Sequence, residues 1–115
     1  MTGFYPEIEP HDRGVRFTDP AFALAFARLV THYVRHNAWL EDGSLLRGAG
    51  VLARIPGIMV QGRLDLQAPI AWAYNLNRAW PRAELTVVDT AGHAANSAGI
   101  TEALVHATDR FAGVR

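Results

Sequence analysis

The sequence predicts an α/β fold in which two parallel strands are joined by a crossover helix and flanked by further helices. Two observations point to it. From Ile55 onward the chain alternates strand, helix, strand, loop, helix, the order of a parallel sheet with a right-handed crossover. Its first apolar run, Ile58-Met59-Val60, is short, continuous and closed by Gly62, which suits a strand buried on both faces. Two strands are fewer than a sheet usually needs for independent stability. The pattern therefore calls for strands from elsewhere, or for helices that cover this pair in an unusual way.

Each element has a local cause. Residues 1–18 hold Gly3, Pro6, Pro10 and Gly14 without periodicity and read as an irregular lead-in. Asp19-Pro20 opens a helix, with Asp19 as the cap and Pro20 at the first helical position. Phe22, Phe26, Leu29, Val30 and Tyr33 then form one apolar stripe, carrying the helix to about His36. Asn37 to Gly43 is a turn region. Ser44 caps a weaker helix through Leu45, Leu46, Val51 and Leu52, in which Gly48 and Gly50 each cost about 1 kcal/mol relative to Ala. Ile55-Pro56-Gly57 ends it.

After the Ile58–Val60 strand, residues 68–80 predict a helix with Pro69 in its first turn. Trp72, Ala73, Leu76, Ala79 and Trp80 lie on its apolar face, and Pro81 stops it. Leu85, Val87 and Val88 predict a second strand ending at Asp89. Residues 91–97 form a small-residue loop carrying His93, and Ile100, Leu104, Ala107 and Phe111 line a last helix.

Composition bounds the function classes. Half of the 115 residues are hydrophobic and 19% are charged, which excludes a disordered tail. Eleven basic residues balance 11 acidic ones, so there is no electrostatic footprint for nucleic acid or an anionic membrane. No cysteine is present, which removes disulfides, thiolate nucleophiles and Cys-based zinc sites. No apolar run approaches the ~20 residues of a membrane span. The N-terminus has neither a basic start nor an apolar stretch, so it does not read as a signal peptide. The expectation is a soluble, cytoplasmic protein.

Two residues stand out as candidates for chemistry. Asp65 falls just past the end of the first strand and His93 just past the end of the second. In a parallel sheet these ends share one edge, where open α/β folds place their ligands. A carboxylate there can fix the tautomer of an imidazole and support its positive form. The same residues also read as an Asp capping the next helix and a His in a solvated loop.

A resemblance bears on that choice. The run Asp19-Pro-Ala-Phe-Ala-Leu-Ala-Phe-Ala-Arg28, with His32-Tyr33 and Leu45-Leu46-Arg47, resembles the cap region of proline iminopeptidases. The run Ile55-Pro-Gly-Ile-Met-Val-Gln-Gly-Arg-Leu-Asp65 is similar to the same family, as are Pro69, Ala79-Trp80-Pro81, Ala83-Glu84-Leu85, Gly92-His93, Ala107-Thr108-Asp109 and Phe111-Ala112. The likeness covers about residues 19–112 and corresponds to the C-terminal part of a family member. It implies a partial α/β-hydrolase fold: a cap-like helical segment over 19–54 and a C-terminal hydrolase segment over 55–115, in a single domain overall. It also implies a Ser-Asp-His triad that removes N-terminal proline from peptides, with Asp65 as the acid and His93 as the base.

The sequence departs from the family pattern in three places. No G-x-S-x-G nucleophile elbow occurs, and neither of the two serines, Ser44 and Ser97, both follows a strand and opens a helix. Where the family's cap helix carries a glutamate for the substrate's free amine, this chain has Val30-Thr31. The residues after His93 are Ala94-Ala95-Asn96-Ser97-Ala98-Gly99 instead of acidic and Pro-containing ones.

Other motifs add little. His32 and His36 have a spacing that can ligate a metal, but no H-E-x-x-H accompanies them. The glycines lack the context of a nucleotide loop. Neither a metal nor a cofactor is expected. Three functional readings follow. One is a truncated hydrolase-like protein that acts only with a complementing half supplying the serine and most of the sheet. Another is a self-standing homo-oligomer using Asp65–His93 as a general-base dyad on a small-molecule ligand. The third is a non-catalytic interaction module that docks through its apolar faces.

Overall fold

The computed structural model describes residues 15–113, which fall into two compact units, 15–44 and 45–113. The lead-in expected over residues 1–18 thus lies mostly outside the described residues. Its end, Val15–Thr18, is a single 3-10 turn.

In the first unit, α1 spans Pro20–Arg35. Asp19 is extended, at φ −81° and ψ 116°, and its Oδ1 accepts the N–H of Ala21 at 2.9 Å. Pro20, with no N–H to satisfy, occupies the first helical position. Phe22 and Phe26 meet the ring of Phe17 edge-on at 5.3 and 5.1 Å, so the start of the apolar stripe folds onto the preceding turn. The helix stops where Asn37, Ala38 and Trp39 take left-handed conformations, at φ 50°, 50° and 58°. Each costs about 1–2 kcal/mol for an L-residue. Local bonds offset that cost. The Asn37 side-chain amide donates to the Leu40 carbonyl at 2.6 Å and to Asp42 at 3.1 Å. The Trp39 indole stacks on His36, with centroids 5.3 Å apart and planes 11° from parallel.

Helix α2, Ser44–Gly48, begins at the last residue of the first unit, and a 3-10 turn, Ala49–Leu52, follows it in the second. The single helix expected here breaks in two at its glycines, and Ser44 is its first residue instead of its cap. Strand β1 is Gly57–Gly62, β2 is Ala83–Val88, and they pair in parallel from Gly57↔Ala83 to Gly62↔Val88. Among the described residues the sheet has these two strands only. The expectation that Ile58–Val60 is buried on both faces is corrected: β1 is half-buried over these residues, and β2 is its only paired neighbour among the described residues.

The crossover helix α3 is Ile70–Ala79, two residues shorter at its start than the predicted span. Pro69 stands before it in an extended conformation, at ψ 141°, not inside the first turn. Trp72 is also corrected: it is 63% exposed, while Ala73, Leu76 and Trp80 turn inward. Trp80 closes the crossover. Its indole N–H donates to the Ile55 carbonyl at 2.7 Å, and its ring covers Gly57, where a Cβ would lie 2.5 Å from ring carbons. Asn77 donates to the Ala83 carbonyl at 2.8 Å, tying α3 to the start of β2.

The last helix, α4, is Ile100–Ala112. Ile100 and Ala107 of its predicted stripe are buried, whereas Leu104 and Phe111 remain exposed. Arg110 grips Glu84 of β2 through two bonds of 2.7 and 2.6 Å, so α4 is held to the sheet by a bidentate ion pair as well as by packing. No helix among the described residues is long and apolar enough to cross a membrane.

Gly62 ends β1 under the tightest constraint in this unit. A Cβ there would fall on the carbonyl oxygens of Ala91 and Gly92, backbone atoms with no freedom to yield. Gly62→Ala is expected to lower stability by about 1–3 kcal/mol, as overpacking does, measured as a shift of the urea midpoint. Gly48→Ala, where a Cβ meets nothing among the described residues, is the control and should be neutral or slightly stabilising.

Candidate active site

The site is built where the two parallel strands end. Pairing runs a step beyond them: Arg63 N–H donates to the Val88 carbonyl at 2.9 Å and Leu64 N–H to the Ala91 carbonyl at 3.0 Å. These bonds carry the chain after β1 alongside the chain after β2, and bring Asp65 and His93 to the same edge. Arg63 adds an exposed ion pair to Asp89 at 2.7 Å.

Asp65 is buried, with 8% of its surface exposed. A charge so placed must be partnered. Its Oδ1 accepts the backbone N–H groups of Gln67 and Ala68 at 2.9 and 2.8 Å. Its Oδ2 lies 3.0 Å from Nδ1 of His93 and takes the Gln61 side-chain N–H at 3.3 Å. Burial alone pushes the carboxyl pKa up. The bonds from Ala68, His93 and Gln67, with the attraction of the imidazole, outweigh it, and the net pKa lies below the ordinary value. The carboxylate thus turns the 65–68 segment toward α3 and faces His93 at the same time. The reading of Asp65 as the cap of the next helix is corrected: α3 begins at Ile70 after Pro69 with no side-chain cap, and Oδ1 instead binds the turn at Gln67 and Ala68, while Oδ2 faces His93.

The His93 side chain is 49% exposed. An ionised carboxylate only accepts, so Nδ1 carries the proton in this pair and Nε2 is left to accept one. The loop that holds the ring is braced by Ser97 N–H on the Ala94 carbonyl and by the Thr101 hydroxyl on the Ala95 carbonyl, both at 3.0 Å. A buried, fixed acid behind a half-exposed base can orient an imidazole and stabilise its protonated form. It can therefore shuttle a proton to and from a group in solvent.

The other candidates lie elsewhere. Ser44 begins α2, and Ser97 sits in the turn before α4, where its carbonyl receives the Ile100 and Thr101 N–H groups. His32 meets the ring of His36 edge-on while His36 stacks on Trp39, and no set of three metal-ligating side chains occurs among the described residues. Gln61 was not foreseen. Its signal was available: a polar amide directly after the apolar run Ile58–Val60, on a half-buried strand, needs partners.

With this geometry in hand, the relatives are informative. The chain is 45% identical over 97 residues to a probable proline iminopeptidase of Leptolyngbya boryana, covering 84% of this chain and 30% of that protein. It is 44% identical over 101 residues to a probable proline iminopeptidase of Streptomyces coelicolor, covering 84% and 31%. It is 44% identical over 95 residues to the proline iminopeptidase of Xanthomonas citri, covering 82% and 30%. The chain resembles the C-terminal part of proline iminopeptidases. It spans about 30% of the length of these relatives. No protein-family model matches it.

The lowered Asp65 pKa links this site to stability. The folded chain holds Asp65 ionised at pH values where the unfolded chain protonates it, so the unfolded state binds more protons in that interval. The stabilisation is complete above the ordinary carboxylate range and is lost as pH falls through the depressed value. The gap in urea midpoint between the native chain and Asp65→Asn is therefore expected to be widest near about pH 6 and to close toward about pH 2.

Proposed function

We propose that this chain supplies the acid and base of an α/β-hydrolase of the proline iminopeptidase type, with residues 55–115 as the hydrolase segment and 19–54 as its cap-like segment. Asp65 orients His93, and His93 Nε2 takes the proton of a serine hydroxyl contributed from outside these 115 residues. The serine oxygen then bonds to the substrate carbonyl carbon. As the carbon–nitrogen bond breaks, His93 returns that proton to the leaving amine, and the acyl group is released to water by the same exchange. The observation that carries this reading is the 3.0 Å contact between Asp65 and His93 at one end of the parallel pair.

Several features support the reading although neither Ser44 nor Ser97 stands in a nucleophile elbow. The strand ends, the acid and the base follow the order of such a triad, in which the nucleophile comes first. Release of N-terminal proline is the reaction that the relatives' name suggests. Val30 and Thr31 offer no carboxylate for a substrate ammonium. Recognition of a free amine would then fall to groups beyond this segment, because a desolvated ammonium without a partner is costly. We accordingly assign the chain to the acid–base chemistry of the reaction, not to autonomous peptidase activity.

A chimera tests this. Residues 19–112 would replace the matching stretch of the Xanthomonas citri enzyme, and hydrolysis of proline p-nitroanilide and of a p-nitrophenyl ester would be followed. Ester hydrolysis is expected, falling about a thousandfold or more with His93→Ala. A folded chimera that hydrolyses the ester equally well with and without His93 would overturn the assignment.

A further inference from the structure

We propose that Gln61 is a positioning residue for the acid–base pair: from the rigid end of β1 its side-chain amide holds the second carboxylate oxygen of Asp65 toward His93. The inference rests on reading Asp65 and His93 as acid and base.

The geometry begins with the orientation of the amide. Nε2 of Gln61 lies 2.9 Å from the Ala68 carbonyl, 3.2 Å from the Gly62 carbonyl and 3.3 Å from Oδ2 of Asp65. All three neighbours are acceptors. An amide turned the other way would press its own oxygen against them, so the donor end is fixed here. Its two N–H groups can serve Ala68 and Asp65 together.

The carboxylate shows why this matters. Two backbone N–H groups fix Oδ1, but a carboxylate held by one oxygen still twists about its Cβ–Cγ bond. Gln61 and His93 both address Oδ2, which brings the acceptor to four donors, about its full capacity. His93 is half-exposed and on a loop, whereas Gln61 is part of a paired strand. The strand residue is the one placed to hold the oxygen still when the imidazole moves or changes charge, as support from a rigid element does elsewhere. The bond to Ala68 serves the same end, since it ties the turn carrying Asp65 back to β1.

The readout must separate positioning from mere turn stability. The tautomer of neutral His93 does so, because Nδ1–H predominates only while a carboxylate oxygen faces it. Imidazole nitrogen chemical shifts would be measured on the 115-residue chain, as Gln61→Met and as Asp65→Asn, with circular dichroism to verify folding. Gln61→Met keeps the length of the side chain and removes both donors. The expected result is a fall of about threefold or more in the ratio of Nδ1–H to Nε2–H tautomer, with a larger fall in Asp65→Asn. A shift in Asp65→Asn with none in Gln61→Met would overturn the role of Gln61 and leave the pair intact. No shift in either would overturn the pairing itself, and the inference with it. Should Gln61→Met not fold, the Gln61 side-chain amide protons of the unsubstituted chain decide the matter. They are expected to move as Asp65 titrates in acid, and protons that stay fixed would overturn the proposal.

Discussion

Where β1 ends, Gly62 lies against the carbonyl groups of Ala91 and Gly92, and this contact between two stretches of backbone sets the geometry of everything beyond the sheet. Parallel pairing brings the two strands to a common end, but side chains would normally keep the departing segments apart. Without a Cβ at Gly62 the pairing continues through Arg63 and Leu64, and the segment after β2 runs beside the segment after β1. Asp65 and His93 meet because one lies three residues past Gly62 and the other directly follows Gly92. A methyl group at Gly62 would act on the Asp65–His93 pair through the backbone alone, with no change in either side chain.

The pair divides its tasks by exposure. Asp65 is enclosed and fully partnered, so its charge stays in one place and is stabilised by fixed dipoles and not by water. His93 faces solvent on one side, which leaves Nε2 available to another molecule. The cost of burying a carboxylate is met close by, through the backbone of Gln67 and Ala68, the amide of Gln61 and the imidazole. Those same bonds start the approach to α3, so fold and site share one set of contacts.

The unit around the site relies on small buried residues and directed polar bonds. Among the described residues its buried apolar side chains are Ile100 and three alanines, Ala49, Ala91 and Ala107, which supply little apolar area each. Helices are fastened to the strands by Asn77 on Ala83 and Arg110 on Glu84, and Trp80, after α3, bonds Ile55 just ahead of β1. Large apolar groups such as Trp72, Leu66 and Val105 stay on the surface. Under the proposed function these belong to faces that the remainder of a hydrolase covers, in keeping with a match to about 30% of the relatives' length.

Much of this was legible in the order of residues. The Asp19-Pro20 start of α1, the Pro81 stop of α3, the two parallel strands and the loop bearing His93 all follow from capping chemistry, fixed φ at proline and the spacing of apolar residues, which act within a few positions of the chain. The positions of Asp65 and His93 past their strand ends were equally readable. Other features depend on groups distant in sequence. Trp72 and Trp80 look alike on a helical wheel, yet only Trp80 has a carbonyl at Ile55 and a bare Gly57 to cover. Ile58–Val60 reads as a fully buried strand, but burial on both faces requires elements packed over each of them, and here the strand is half-buried. Gln61 looks like the polar end of an apolar run until the turn at Asp65 folds back and sets three oxygens around its amide. The sequence by itself determined most of the elements, their order and the placement of Asp65 and His93 just past the two strand ends, because those depend on local sterics and periodicity. Tertiary structure alone decided which side chains are enclosed, how the Asp65 carboxylate is held and how closely the two strand ends approach, because each of these requires atoms far apart in the chain to occupy neighbouring space.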